Sequence, residues 1–194
     1  GVVMATGTRQ IEQFGGLLRR MPSTALFFLV GAMAISGLPM LNGFASEWLT
    51  FQAFLYGFSG STEPLVQVLF PAGGAILALT TALAAACFVK AFGITFLALP
   101  RSAAAAAAQE STATLLGPQA ALAVVCLALG LFPGLVLQLL DAVLASLPGL
   151  QPGTDLARGA LRMTSGAESF DHVAPIALGV AMLGALGGAA VLTT

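Results

Sequence analysis

Between Met21 and Thr62 the chain carries one formal charge, Glu47, and between Pro64 and Pro100 one more, Lys90. A soluble fold needs a charged face on most of its helices, and these stretches offer none. Over all 194 residues, 58% are apolar and only 8% are Asp, Glu, Lys or Arg, against about 45–50% and about 25% in an average globular chain. Mean hydropathy is +0.96. The fold class is therefore all-α, a polytopic bundle of transmembrane helices.

The same arithmetic removes other classes. A net charge of −1 without a basic run argues against nucleic-acid binding, which relies on clustered Lys and Arg. Cys87 and Cys126 lie in apolar stretches, with no CxxC and one histidine in the chain, so a disulfide framework or a zinc or iron–sulfur site is not expected. Nor is there a Gly-rich phosphate loop or a nucleophile–base pair. No basic segment followed by a short apolar core marks a signal peptide. The chain opens GVVMATGT, and we read it as the C-terminal part of something longer.

The spans follow from punctuation. Thr8–Pro22 is a polar loop or short amphipathic helix. Pro22 suits a first helical position, where its missing N–H costs nothing, and opens a span over 22–38. The stretch GLPMLNGF (37–44) cannot continue a regular helix, because Pro39 removes a donor and the glycines loosen the backbone. A helix resumes at 45–58, too short for the roughly 20 residues that cross a bilayer. Residues 44–73 are therefore expected to form one discontinuous span, with half-helices at 45–58 and 64–72. Further spans are expected at 75–98, 119–144 (kinked at Phe132-Pro133-Gly134) and 173–192, five in all. An Ala-rich connector, 102–118, shows no packing face, and the chain divides into 1–101, this connector and 119–194.

Broken backbone at membrane depth is tolerated only where it is buried in protein or lines a wet cavity, which makes the broken span the best functional candidate. Glu47 sits in it. A carboxylate in a membrane segment usually pairs or marks an ion path, but one in the first turn after a break also serves simply as a dipole cap. Lys90 stands some nine residues from the end of its expected helix. Buried lysines give up protons more readily, which suits a relay, while a snorkelling stem is the plain alternative. Glu63, Asp141, Asp171 and His172 read as loop, interfacial or cap residues. Trp48, Phe51 and Phe54 read as packing or lipid contacts, and Gly184-x-x-x-Gly188 as a close-packing helix face.

Three pieces resemble a known family: GGLLRRMP, SGLPMLNGFASEW and CFVKAFGITFL, within residues 7–101. In order and spacing they are similar to the antiporter-like subunits shared by complex I, Mrp antiporters and membrane-bound hydrogenases, most of all the hydrogenase-4 component B (formate hydrogenlyase subunit 3) branch. The resemblance implies a multi-pass subunit of the inner (cytoplasmic) membrane. It would move protons, with sodium as an alternative ion, coupled to redox chemistry in other membrane and peripheral subunits. Quinone, NADH, flavin, nickel or iron–sulfur centres would belong to those partners, with no cofactor in this chain. The glutamate of the "SEW" piece falls on Glu47 as a gate or terminal carboxylate, and the basic residue of the following helix falls on Lys90 as a neighbouring relay. A Mrp-type antiporter subunit, or a purely structural membrane-arm segment, is the alternative.

Overall fold

A computed structural model describes residues 1–59, 62–134, 136, 140, 143, 180 and 181. Among them every regular element is helical: α1 (Val2–Thr6), α2 (Pro22–Ile35), α3 (Asn42–Ser59), α4 (Pro64–Phe96), α5 (Ala103–Ala107) and α6 (Ala113–Leu131), with 3-10 turns at Ile11–Gln13 and Leu17–Arg19. Two of these, α4 and α6, are long and apolar enough to cross a membrane, and α2 is a shorter apolar helix. The expected total of five spans is not reached within the described residues, and 173–192 lies almost wholly outside them.

Two boundaries differ from the sequence reading. The pieces expected as a half-helix at 64–72 and a new span at 75–98 are one helix of 33 residues. Pro71 falls two turns inside it and withholds one backbone bond without ending the helix. Helix α6 begins at Ala113 rather than 119, because the Thr112 carbonyl accepts from Leu115 and Leu116 N–H at 2.9 and 3.1 Å, with Pro118 near its start.

The described residues cluster into two compact units. The first comprises Gly1–Ser36 with Ala78–Cys126. Its centre is a loop held against a turn. Gly15 and Gly16 adopt φ of +126° and +64°, conformations that favour glycine. Gly16 N–H donates to the Leu97 carbonyl at 2.8 Å. A Cβ on Gly16 would meet Pro100 Cδ at 2.7 Å and the Ala98 carbonyl oxygen at 3.1 Å. Ser102 completes the corner: its hydroxyl donates to the Gln13 carbonyl at 2.8 Å and accepts from Ala105 N–H at 3.1 Å, capping α5. Beneath this corner Phe14, Leu17, Met21, Ala25 and Phe96 are buried together with Ala105 and Ala108. The alanine tract thus does present a packing face, with Ala105 and Ala108 buried in this cluster. Phe28 of α2 lies against Phe96, with ring centroids 5.3 Å apart, and is flanked at 6.4 Å by Phe88 and Phe92 of α4. Their spacing of four puts the three α4 rings on one face.

The first turn of α2 illustrates how this unit closes its polar groups. Met21 precedes Pro22 and supplies no side-chain cap. The orphan donors of that turn are met instead by Glu110, from the loop between α5 and α6. Its Oε2 accepts from Ser23 N–H at 2.8 Å and its Oε1 from the Thr24 hydroxyl at 2.6 Å and its own neighbour Ser111 N–H at 3.0 Å. Partial burial pushes the Glu110 carboxyl up, but hydrogen bonds from the Thr24 hydroxyl and the backbone of Ser111, Ser23 and Thr24 outweigh it, so the group rests below its ordinary value.

The second unit comprises Gly37–Leu77 with the described residues from Leu127 onward. Here the Met40–Leu41 backbone lies directly on Gly130 of α6, where a Cβ would overlap the Met40 carbonyl oxygen. Phe54 of α3 packs edge-on to Phe70, centroids 6.1 Å apart, and over Gly73 of α4, where a Cβ would meet its Cζ at 3.0 Å. Glycine at 73 lets α3 and α4 approach closely.

Two outcomes follow for stability. Gly16→Ala forces a side chain into a left-handed position against Pro100, and should lower the unfolding midpoint of the detergent-solubilised protein by the equivalent of about 1–3 kcal/mol. Gly31→Ala, with nothing within 4 Å of its added carbon, should not lower it. Glu110→Ala removes the cap of α2, at a cost of about 0.5–2 kcal/mol near neutral pH. Because folding lowers the carboxyl's pKa, that stabilisation is complete above the unfolded value. The gap between parent and variant should therefore close as pH falls below about 4 and through the folded value, which pH-resolved thermal melts would register.

Candidate functional site

Helix α3 starts at Asn42, three residues earlier than the sequence reading placed it. The difference matters for Glu47. It is the sixth helical residue rather than a first-turn one, and the first turn of α3 holds no acidic residue. A dipole effect that fades within one turn leaves the cap explanation of this carboxylate without support. Within its first turns Ser46 Oγ donates to the Gly43 carbonyl at 2.9 Å, and Thr50 Oγ1 to the Ser46 carbonyl at 2.8 Å.

What meets Glu47 is Gly37, at the break between α2 and α3. Gly37 has φ of +64°, and a Cβ there would overlap Glu47 Oε2 and come within 2.9 Å of its Cδ. The glycine thus serves twice, turning the chain after α2 and clearing space for a half-buried carboxylate. Sequence reasoning credited Gly37 with loosening the backbone and missed the second role. The positional signal was available, since Gly37 and Glu47 lie ten residues apart within one motif, SGLPMLNGFASEW.

The other side of α3 carries Phe44, Ala45, Trp48 and Leu49, packed together, with the Phe44 and Trp48 rings stacked 6.2 Å apart. Three buried polar atoms on α3 have no protein partner: Asn42 Oδ1, Trp48 Nε1 and Gln52 Oε1. Gln52 is only 6% exposed. Asn42 and Ser46 also edge an open groove of about 270 Å³, lined otherwise by apolar residues including Leu49, Leu129 and Pro133. With a water occupying about 30 Å³ in the liquid, that volume holds several. Of the three unpaired groups Asn42 alone lines this space, and Glu47 does not line it.

Lys90 belongs to the first unit, so the two predicted residues stand in separate units. Its side chain is exposed on α4, some 200° around the helix from Phe88, which packs on α2. With α4 ending at Phe96, six residues on, Lys90 lies about 9 Å from the helix end, nearer than the nine residues expected. Glu63 is exposed, and its backbone carbonyl accepts from Val66 and Gln67 N–H at the start of α4. Asp141, Asp171, His172, Gly184 and Gly188 lie outside the described residues. Glu110 was missed in the sequence. The sign of it was Met21-Pro22, a helix start lacking its own cap, which obliges some distant acceptor to supply one.

Comparison with known proteins sets these residues in context. Residues 2–70 match the transmembrane family described as NADH:quinone oxidoreductase/Mrp antiporter. The chain is 41% identical to hydrogenase-4 component B of Escherichia coli over 130 residues, 67% of this chain and 19% of that protein. Formate hydrogenlyase subunit 3 of E. coli is 39% identical over 137 residues, 71% of this chain and 22% of that protein. The Na(+)/H(+) antiporter subunit A1 of Staphylococcus haemolyticus is 26% identical over 201 residues, 97% of this chain and 22% of that protein. The chain spans about a fifth of the length of these relatives. Through the segment that holds the Gly15–Gly16 loop, the Gly37 turn and Glu47, the chain belongs to the NADH:quinone oxidoreductase/Mrp antiporter membrane family.

Proposed function

We propose that the chain forms part of a proton-translocating, multi-pass subunit of the inner membrane, in an assembly like hydrogenase-4, formate hydrogenlyase or complex I. The observation that carries this reading is the Glu47 carboxylate, seated on the second turn of an apolar helix against Gly37, away from any capping role. Glu47 acts as a gate carboxylate and Lys90 as a relay group on a path completed by waters and by groups of the full assembly. The chain's own contribution is to hold protons at the Glu47 oxygens and at Lys90 Nζ. Changing the charge of one group on such a path alters the proton affinity of its neighbours, which passes the proton on. Redox cofactors, quinone included, belong to partner subunits in this reading.

The test is proton uptake into inverted membrane vesicles carrying the complete assembly, with redox turnover followed in parallel. Glu47→Gln and Lys90→Ala should each cut proton transport roughly tenfold or more while assembly persists. Normal transport in both variants would remove the residue assignment and leave a scaffolding role. Gly37→Ala should act like a mild Glu47 variant, because the added methyl displaces the carboxylate. Its proton transport should fall while Gly31→Ala vesicles stay unchanged.

A second reading is supported by the S. haemolyticus relative, whose match runs along 97% of this chain. A Na(+)/H(+) antiporter subunit would give sodium-dependent proton exchange without redox turnover, and adding sodium to the same vesicles separates the two.

A further inference from the structure

Four of the seven Lys and Arg side chains lie on the loop before α2 or the turn after α4: Arg9, Arg19, Arg20 and Arg101. The fold joins these two segments into one corner of the first unit. Gly16 N–H donates to the Leu97 carbonyl, and the Ser102 hydroxyl reaches the Gln13 carbonyl across 89 residues of sequence. A Cβ on Gly15 would stand 3.4 Å from Arg101 Cγ. Arg101 therefore lies along the same loop that carries Arg19 and Arg20. All four arginines are exposed, and among the described residues none is paired with a carboxylate. Glu12 is the one acid on the loop, and Glu110 is taken up by Ser23, Thr24 and Ser111.

Apolar side chains protrude beside these charges. Leu18, Leu97 and Leu99 are 41%, 44% and 77% exposed, whereas Leu17 is buried and anchors the loop. Unpaired cations interleaved with bare leucines suit the boundary where headgroups meet hydrocarbon. The position agrees. Helix α4, long and apolar enough to cross a membrane, ends at Phe96, and α2 opens at Pro22, two residues after Arg20. A guanidinium presents a fork of donors that matches two phosphate oxygens. A zwitterionic lipid would bring its own cation into a corner already short of acids, whereas an anionic lipid brings the phosphate alone. We infer that Arg19, Arg20 and Arg101 bind the phosphodiester of an anionic phospholipid, with Leu18 and Leu99 against its acyl chains.

The test places the complete assembly in phosphatidylcholine nanodiscs with a small fraction of phosphatidylglycerol made photoreactive near its headgroup, and labelled peptides are sequenced. Label is expected on residues 15–20 and 97–102, competed by unlabelled phosphatidylglycerol and not by inorganic phosphate. Arg19→Gln and Arg101→Gln should each cut that yield roughly fivefold, the loss expected for one basic residue at an anionic surface. Lysine at either position should restore most of it. Equal labelling by photoreactive phosphatidylcholine, or a yield indifferent to these arginines, would overturn the proposal. Competition by inorganic phosphate would reduce the corner to a free-anion site and overturn it as well. So would the absence of label from both segments, the result expected if an acidic protein surface covers the corner in the assembly. Because the readout is lipid contact rather than proton transport, it stands or falls separately from the functional reading.

Discussion

A helix in an apolar surrounding satisfies its own backbone everywhere except at its ends, where the first N–H and last C=O groups have no partner. Most of this structure answers that single constraint. The start of α2 borrows the Glu110 carboxylate. Its last turn is closed by Ser36, whose hydroxyl donates to the Ala32 carbonyl at 2.7 Å. The turn after α4 gives its Leu97 carbonyl to Gly16 N–H, and α5 takes Ser102 as a cap. Each solution needs a particular residue, unlike the apolar helix interiors, where Leu, Ala, Val and Phe are nearly interchangeable. Two of the three recognisable motif pieces, GGLLRRMP and SGLPMLNGFASEW, accordingly span connections and helix starts, while the third lies in the last turns of α4.

The Gly37–Glu47 contact shows how such a connection becomes a chemical site. The chain has to leave α2 in a left-handed conformation, which glycine supplies. Removing the Cβ also removes the one group that would fill the space Glu47 occupies. Turn geometry and carboxylate placement are thus set by the same missing atom. The unpaired Asn42, Trp48 and Gln52 atoms on α3 add polar groups whose burial without partners would cost about 1–3 kcal/mol each. Water, or groups from the rest of an assembly, would relieve that cost.

Much of this was legible in the sequence. The scarcity of charge gave the class, Pro22 located the start of α2, and Gly37-Leu38-Pro39 marked the break. Glu47 was singled out by its solitude in an apolar stretch. Periodicity served less well where a proline lay inside a helix. The sequence reading ends a half-helix at 72, just past Pro71, but a helix of 33 residues absorbs one lost bond among many and runs on. The Ala tract at 103–108 read as featureless because alanine reveals no face. Only the Phe14–Leu17–Met21 cluster, distant in sequence, determines which methyl groups are buried. Glu110 escaped for the same reason: its meaning depends on Ser23 and Thr24, nearly ninety residues away.

The length of α4 bears on what Lys90 can do. At 1.5 Å per residue the helix measures about 50 Å, well over the roughly 30 Å of hydrocarbon. Part of it must therefore tilt or extend beyond the core. Within α4 the uncharged stretch runs from Pro64 to Val89, about 39 Å, itself longer than one hydrocarbon thickness. Lys90, six residues from the helix end, bounds that stretch on one side, and a charge is least costly where water begins. On this register Lys90 stands at the margin of the core rather than its centre. In the proposed reading, a relay group placed there would meet water on one side and the protein interior on the other.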